Sequence, residues 1–378
     1  MRTAVPVIAG SVLLGTAGIG SAVGAEPRAA AVSAAKSAST LSPITDGIAK
    51  DLATSLNADK ADIRDVLGAG KALDLLPLME KIGASAGVKN KVKKGNSEAL
   101  RAKGLDATAG SVLELRLGHD SMRQALREGK DYLIVGEADD DARTVTAYDR
   151  TGKAHKLDAH KVPKTPVLVV GINGDKAIKA GLAELRESLK DTGVAANLPE
   201  DGLKNSSKAS LSGYDATAID RVYLREDHEP WHKGDAEIYL LVAGVNPSGE
   251  PQVDTVQMPY VNDDGREYVL PVEMPQIIVN WSHFKYGAAD LVMMEEDGST
   301  NYQELARAIS KGLLTVVGGG QYVPLVDEVL KAFPSGWFSD DHDYVDSWYT
   351  VRPTTWDPYF GANNSAKLSF GPWHVDEI

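Results

Sequence analysis

The spacing of apolar residues changes character along this chain, and the changes divide it into regions. From Ser42 to about Leu126 the spacing is helical, with Ile44, Ile48, Leu52 and Leu56 on one face and Leu73, Leu76 and Met79 on another. Asn57, followed by Asp59 and Asp62, predicts a helix start, and Gly68 with Gly70 a stop. From Tyr132 the runs become β-rich. Tyr132–Val135, Thr144–Tyr148 and Pro166–Val170 predict strands, and Asp149–Lys153 predicts a hairpin turn. Helical spacing returns over Ile178–Leu189. These features predict one α+β domain over residues 42–193.

Residues 194–215 are rich in Asn, Ser, Lys, Gly and Pro and read as a linker. Beyond it, strands are predicted at Ile219–Leu224, Ala236–Val242, Val253–Met258, Ile277–Val279, Ala289–Met294, Val345–Val351 and Ala366–Phe370. Short strands separated by turn signals such as Asn246-Pro247-Ser248-Gly249 point to a β-sandwich over 216–378. Residues 302–333 interrupt it with helical spacing, broken at Gly318-Gly319-Gly320, and read as a helical insertion. The expected fold class is α+β: an N-terminal helical/α+β domain, then a C-terminal antiparallel β-sandwich with a helical insertion. The chain shows no internal repeat and no heptads.

Composition narrows the classes of function. The chain has 378 residues, 43% hydrophobic and 25% charged, with a net charge of −13. That is the balance of a globular protein, and it argues against nucleic acid as a partner, since phosphate binding needs clustered Lys and Arg. The main basic stretch, Lys89–Lys94, is short and reads as a solvated helix end or loop. Arg2, then small apolar residues from Ala4 to Ala25 ending Val23-Gly24-Ala25, predict a signal peptide over residues 1–25, cleaved after Ala25, with an Ala/Ser-rich linker over 26–41. No later segment reads as transmembrane. The expected location is extracellular, and the expected partner an extracellular protein, a glycan or another surface ligand. The chain has no cysteine, so rigidity outside the cell must come from packing or bound metal rather than disulfides.

Three acidic stretches lie beside predicted strands. Glu226, Asp227, Asp235 and Glu237 form the first, Glu295 and Asp297 the second, and Asp340, Asp341, Asp343 and Asp346 the third. Calcium takes six to eight oxygen ligands, and loops at one sandwich end can supply them from distant positions. These ten residues are therefore the candidate ligands of a Ca2+ site; the alternative is ordinary solvated acidic loops. No Asp-x-Asp-x-Asp-Gly loop with a distal Glu is present, which excludes an EF-hand. His342 reads either as a ligand or general base within the third stretch or as a surface histidine.

A competing chemistry sits in His228-Glu229-Pro230-Trp231-His232, which spells the zinc-peptidase pattern. A hydrolase of that kind needs both histidines on one helical face. Pro230 costs an interior helix ~3 kcal/mol and pushes Glu229 towards extended geometry. The segment therefore reads as a loop between strands, and the metal-dependent hydrolase is the alternative function. Gly83-Ala84-Ser85-Ala86-Gly87 spells a hydrolase elbow without the strand it requires, and the glycines of Val169–Lys176 lack a full phosphate-loop fingerprint. Trp337, Trp348, Tyr349, Trp356, Tyr359 and Trp373 gather near the C-terminus, to fill the sandwich core or to form a carbohydrate or peptide platform.

The segments Gly234-Asp235-Ala236-Glu237-Ile238-Tyr239, Asn301-Tyr302-Gln303-Glu304-Leu305 and Asp343-Tyr344-Val345-Asp346-Ser347-Trp348-Tyr349 resemble uncharacterised secreted bacterial proteins, of actinobacterial type, in a domain-of-unknown-function family. The C-terminal half also resembles a C2-like calcium-binding β-sandwich. The resemblance covers about residues 216–378 and implies calcium binding by acidic loops but no established activity. The helical insertion departs from a plain C2-like sandwich, so membrane docking is not carried over. The reading that follows is a secreted calcium-binding protein, a binding module rather than an enzyme.

Overall fold

The computed structural model describes residues 28–56, 63–139, 142–199, 213–225, 230–296, 300–316, 326–333 and 344–376. The predicted signal peptide lies outside them. The first half runs α1 (Arg28–Ser55), α2 (Ile63–Gly68), β1 (Leu73–Asp74), α3 (Leu75–Lys81), α4 (Ala86–Ala102), β2 (Leu113–Leu117), α5 (Arg123–Arg127), β3 (Leu133–Gly136), β4 (Thr144–Tyr148), β5 (Ala154–Asp158), β6 (Val167–Ile172) and α6 (Gly174–Asp191). Side chains of Asp74, Ser85 and Asn173 cap α3, α4 and α6, satisfying backbone N–H groups that the first helical turn leaves without partners.

Its six strands are ordered β1-β2-β6-β3-β4-β5, antiparallel except for the β3–β6 pair. One face of this sheet, through Leu113, Leu115, Leu168 and Val170, packs against Ile48 and Leu52 of α1 and neighbouring helices. The approach is close: a Cβ on Gly136 of β3 would lie 2.2 Å from the backbone N of Asp46, so α1 crosses β3 where only glycine fits.

The second half runs β7 (Tyr214–Leu224), β8 (Ile238–Val245), β9 (Pro251–Gln257), β10 (Arg266–Val269), β11 (Gln276–Asn280), β12 (Ala289–Glu295), α7 (Tyr302–Val316), α8 (Val326–Ala332), β13 (Tyr344–Val351), β14 (Asp357–Phe360) and β15 (Ala366–Val375). Two sheets form, one ordered β13-β12-β8-β9 and the other β10-β7-β15-β14, with β11 also paired to β7. Ile238, Leu240, Leu291 and Met293 of the first meet Ile219, Val222, Leu224 and Leu368 of the second in a sandwich core.

The four-stranded sheet is buried on its other face as well. Tyr239, Leu241, Val292 and Met294 join the same hydrophobic cluster as Leu182 and Leu185 of α6, Leu305 and Ile309 of α7, and Val329 of α8. That cluster continues into the helices of the first half, so the two halves share a core. The helices predicted as an insertion are thus a covering layer, and β8 and β12 are buried at every position because apolar matter lies on both sides.

The α+β class and the sandwich of the second half match the expectation from sequence. Strands β1, β2, β10 and β14 had not been expected, and β5 only as the return of the predicted hairpin; β1 lies where the spacing of Leu73 reads as helical. Strand β2 lies inside the stretch read as helical, because Leu113, Leu115 and Leu117 alternate with Glu114 and Arg116. Strands β10 and β14 flank the five-stranded sheet with mostly exposed residues, so neither carries an apolar run.

Candidate metal site and the polar seam beside it

Strand register decides where the acidic stretches go. Glu295 of β12 stands opposite Ile238 of β8, and Met294 stands opposite Tyr344 of β13. The start of β8, the end of β12 and the start of β13 therefore meet at one end of the four-stranded sheet, and each adjoins one of the acidic stretches. Beyond the ladder, Glu296 N donates to Glu237 O at 2.9 Å. Glu226, Asp227, Asp297, Asp340, Asp341 and Asp343 lie outside the described residues.

The four described candidates differ in what they do. Asp235 is an exposed residue whose carboxyl is pushed above the usual carboxylate range, first by loss of solvent and then by the charge of Asp263. Glu237 turns towards α6: a Cβ on Gly174 would lie 1.9 Å from its Oε1, so the carboxyl rests on the first residue of that helix, where the helix dipole favours a negative group. Glu295 is buried, and its alternation with Leu291 and Met293 directs it to the sandwich side.

Asp346 is spent on backbone. Its Oδ1 accepts from Ser347 N at 2.8 Å and Asn363 N at 2.7 Å, and its Oδ2 from Ser365 N at 2.9 Å and Ala366 N at 2.8 Å. The buried carboxylate thus ties β13 to the turn between β14 and β15. Among the described residues no three His, Asp or Glu side chains group so as to hold a metal ion.

The zinc-like segment is not helical where it is described. Pro230 to Lys233 form a turn closed by Lys233 N donating to Pro230 O at 2.8 Å, while His228 and Glu229 lie outside the described residues. His232 is fully buried, and neither ring nitrogen has a hydrogen-bond partner among the described residues. Burial first, then the charges of Lys233, Arg116 and His160, hold its pKa down at about 3, so the ring is neutral.

This turn closes a polar seam that sequence reasoning missed. Glu114 and Arg116 of β2 and Glu137 after β3 project from the sheet face opposite α1. Arg116 Nη2 donates to His232 O at 2.6 Å and stands 3.9 Å from Glu137 Oε2, and its Nε stands 3.6 Å from Glu114 Oε1. Lys233 Nζ stands 3.7 Å from Glu137 Oε1, and Ile172 N donates to Glu137 Oε2 at 3.1 Å. Burial raises the Glu114 carboxyl above its usual value against the opposing pull of Arg116 and an Asn173 hydrogen bond. Trp231 completes the joint, its Nε1 donating to Asp158 O at 3.1 Å.

A strict Leu-Glu-Leu-Arg-Leu alternation was the available signal for the seam: read as a strand, it places Glu114 and Arg116 together on one face. A second missed pair is Asp254 and His283, both buried, with His283 Nδ1 2.5 Å from Asp254 Oδ2. Nothing local in the sequence links them, since they lie on β9 and on the short 3-10 turn after β11.

No curated protein and no solved structure matches the chain. A family model described as protein of unknown function (DUF3103) matches residues 45–378, which takes in both halves and the seam between them.

Proposed function

The chain belongs to the DUF3103 family of proteins of unknown function, and from that premise we propose that it is an exported binding protein whose acidic sheet end takes calcium. One observation carries this reading: register brings the three strand ends bearing the acidic stretches side by side. Carboxylates massed there repel one another unless water or a cation neutralises them, and a hard cation with oxygen ligands suits that chemistry. Asp235 is the described contributor, and Glu237 and Glu295, which point to opposite faces of the sheet, would join it by turning towards the sheet end. Glu226, Asp227, Asp297, Asp340, Asp341 and Asp343 supply the rest, and Asp346 stays with its backbone donors.

Bound calcium would hold together loops that otherwise repel, and by mass action it stabilises the fold whenever its concentration exceeds the dissociation constant, by ~2.7 kcal/mol at a hundredfold excess. The test is thermal melting of the purified chain in calcium chloride and in chelator. The expected result is a higher midpoint with calcium. Identical midpoints would reject the proposal.

A further inference from the structure

The outer face of the five-stranded sheet carries large apolar side chains that the folded core does not use. Along β7 and β15 the inward residues are Ile219, Val222, Leu224, Ala366, Leu368 and Phe370. Alternation therefore turns Arg221, Tyr223, Lys367 and Ser369 outward. Register then lays out one row across four strands, Glu267 of β10, Tyr223 of β7, Lys367 of β15 and Phe360 of β14. Tyr223 and Phe360 meet edge to face, with ring centroids 6.4 Å apart.

Four and six residues along β15 from Lys367, the same face holds indoles. The six-membered ring of Trp356 comes within 3.8 Å of where a Cβ on Gly371 would stand, so the bare glycine is its seat on the sheet. Trp373 follows Gly371 by two positions and shares the face. Exposure is 62% for Trp356, 42% for Phe360 and 36% for Trp373. Monomers rarely group large exposed apolar side chains on one face unless that face binds something.

The face is also cationic on a chain whose net charge is −13. Arg225 Cζ lies 5.0 Å and Lys367 Nζ 5.7 Å from the Phe360 ring centroid. Arg221 stands in the next row with only a loose 3.9 Å pairing to Glu267. Aromatic rings present apolar platforms, and the cations between them seek anions. A pyranose has an apolar C–H face and a rim of hydroxyls, and a uronic acid adds a carboxylate at that rim. An extended chain of such sugars matches rings and cations alternating across a sheet face.

We infer that this face binds an acidic polysaccharide, its sugar rings stacked on Trp356, Phe360 and Trp373 and its carboxylates met by Arg225, Lys367 and Arg221. The surface is separate from the acidic sheet end and does not depend on calcium there. Affinity electrophoresis of the whole chain through gels holding polygalacturonate, neutral dextran or polyglutamate tests it. Polygalacturonate should retard the protein, dextran should not, and added salt should weaken the effect. Trp356→Ala, Phe360→Ala and Arg225→Ala should each reduce affinity about tenfold, with melting midpoints unchanged for Trp356→Ala and Arg225→Ala, whose side chains are exposed, and lowered for Phe360→Ala, whose ring packs on Tyr223. Absence of retardation, retention in all three variants, or equal retardation by polyglutamate would overturn the inference. So would variants that lose self-association instead of polymer binding, since the face would then belong to a second copy.

Discussion

Lys103 and Glu296, 193 residues apart in the chain, form an ion pair with almost no exposure to solvent. Lys103 follows α4, and Glu296 follows β12. Tyr302 donates its hydroxyl to the other oxygen of Glu296, its backbone N donates to Lys103 O at 3.1 Å, and Asn301 Nδ2 donates to Ala102 O at 2.7 Å. One polar knot thus fastens the last long helix before β2 to the sandwich sheet and to the start of α7.

Removing one partner should cost more than removing both. Glu296→Ala leaves a buried ammonium without its counter-charge, at ~3–5 kcal/mol, whereas an apolar pair of similar volume is often nearly neutral. Urea unfolding should show Glu296→Ala far below the parent and Lys103→Met with Glu296→Leu recovering most of the loss. Equal losses in single and double variants would mean the pair contributes little beyond packing.

The joint between α6 and α7 rests on a missing side chain. A Cβ on Gly181 would stand 2.0 Å from the Tyr302 ring, which is buried and held through its hydroxyl by Glu296. The ring cannot swing aside without breaking that bond. Gly181→Ala should therefore destabilise by at least the ~1–3 kcal/mol typical of overpacking, read as a lower urea midpoint. A neutral or stabilising result, as helix propensity alone would give, would show that α7 can shift.

How far the sequence disclosed this arrangement follows from where each signal resides. Strands β8 and β12 were legible because burial on both faces leaves uninterrupted apolar runs, and α6 because Ile178, Leu182, Leu185 and Leu189 keep one stripe buried. The shared core was not legible. Tyr239 and Leu241 face the helical layer while Ile238 and Leu240 face the other sheet, and a continuous apolar run does not say which neighbour each side meets. The acidic stretches could be read, but not what Glu237 and Asp346 do: their partners are a helix start at Gly174 and backbone N–H groups at Asn363, Ser365 and Ala366, which carry no residue-type signature.

Asp346 separates structural carboxylates from metal ligands at the acidic sheet end. Asp346→Ala leaves four backbone N–H groups without their acceptor, two of them in the turn before β15 and one at its first residue. Ser347 and Ala366 are buried, and each orphaned buried donor costs ~1–3 kcal/mol, so the variant should lose ~2–6 kcal/mol in calcium and in chelator alike. A loss seen only in calcium would return Asp346 to the ligand set.

His232 should make the fold sensitive to mild acid. Its folded pKa of about 3 lies below the ordinary histidine value of 6.5, so the unfolded chain takes up a proton that the folded chain refuses. Stability from the neutral ring is fully present above pH 6.5 and is lost as pH falls towards 3, at up to ~1.4 kcal/mol per unit. The charges that bear on it are Arg116 from β2, Lys233 beside it and His160 after β5, and none of the three would welcome an imidazolium. His232→Leu keeps the burial and removes the proton site. Between pH 7 and pH 5 the parent should lose about 2 kcal/mol more than the variant, with the carboxylates common to both cancelling in the difference. Parallel pH profiles for the two proteins would mean that the ring is protonated, or solvated, in the folded state.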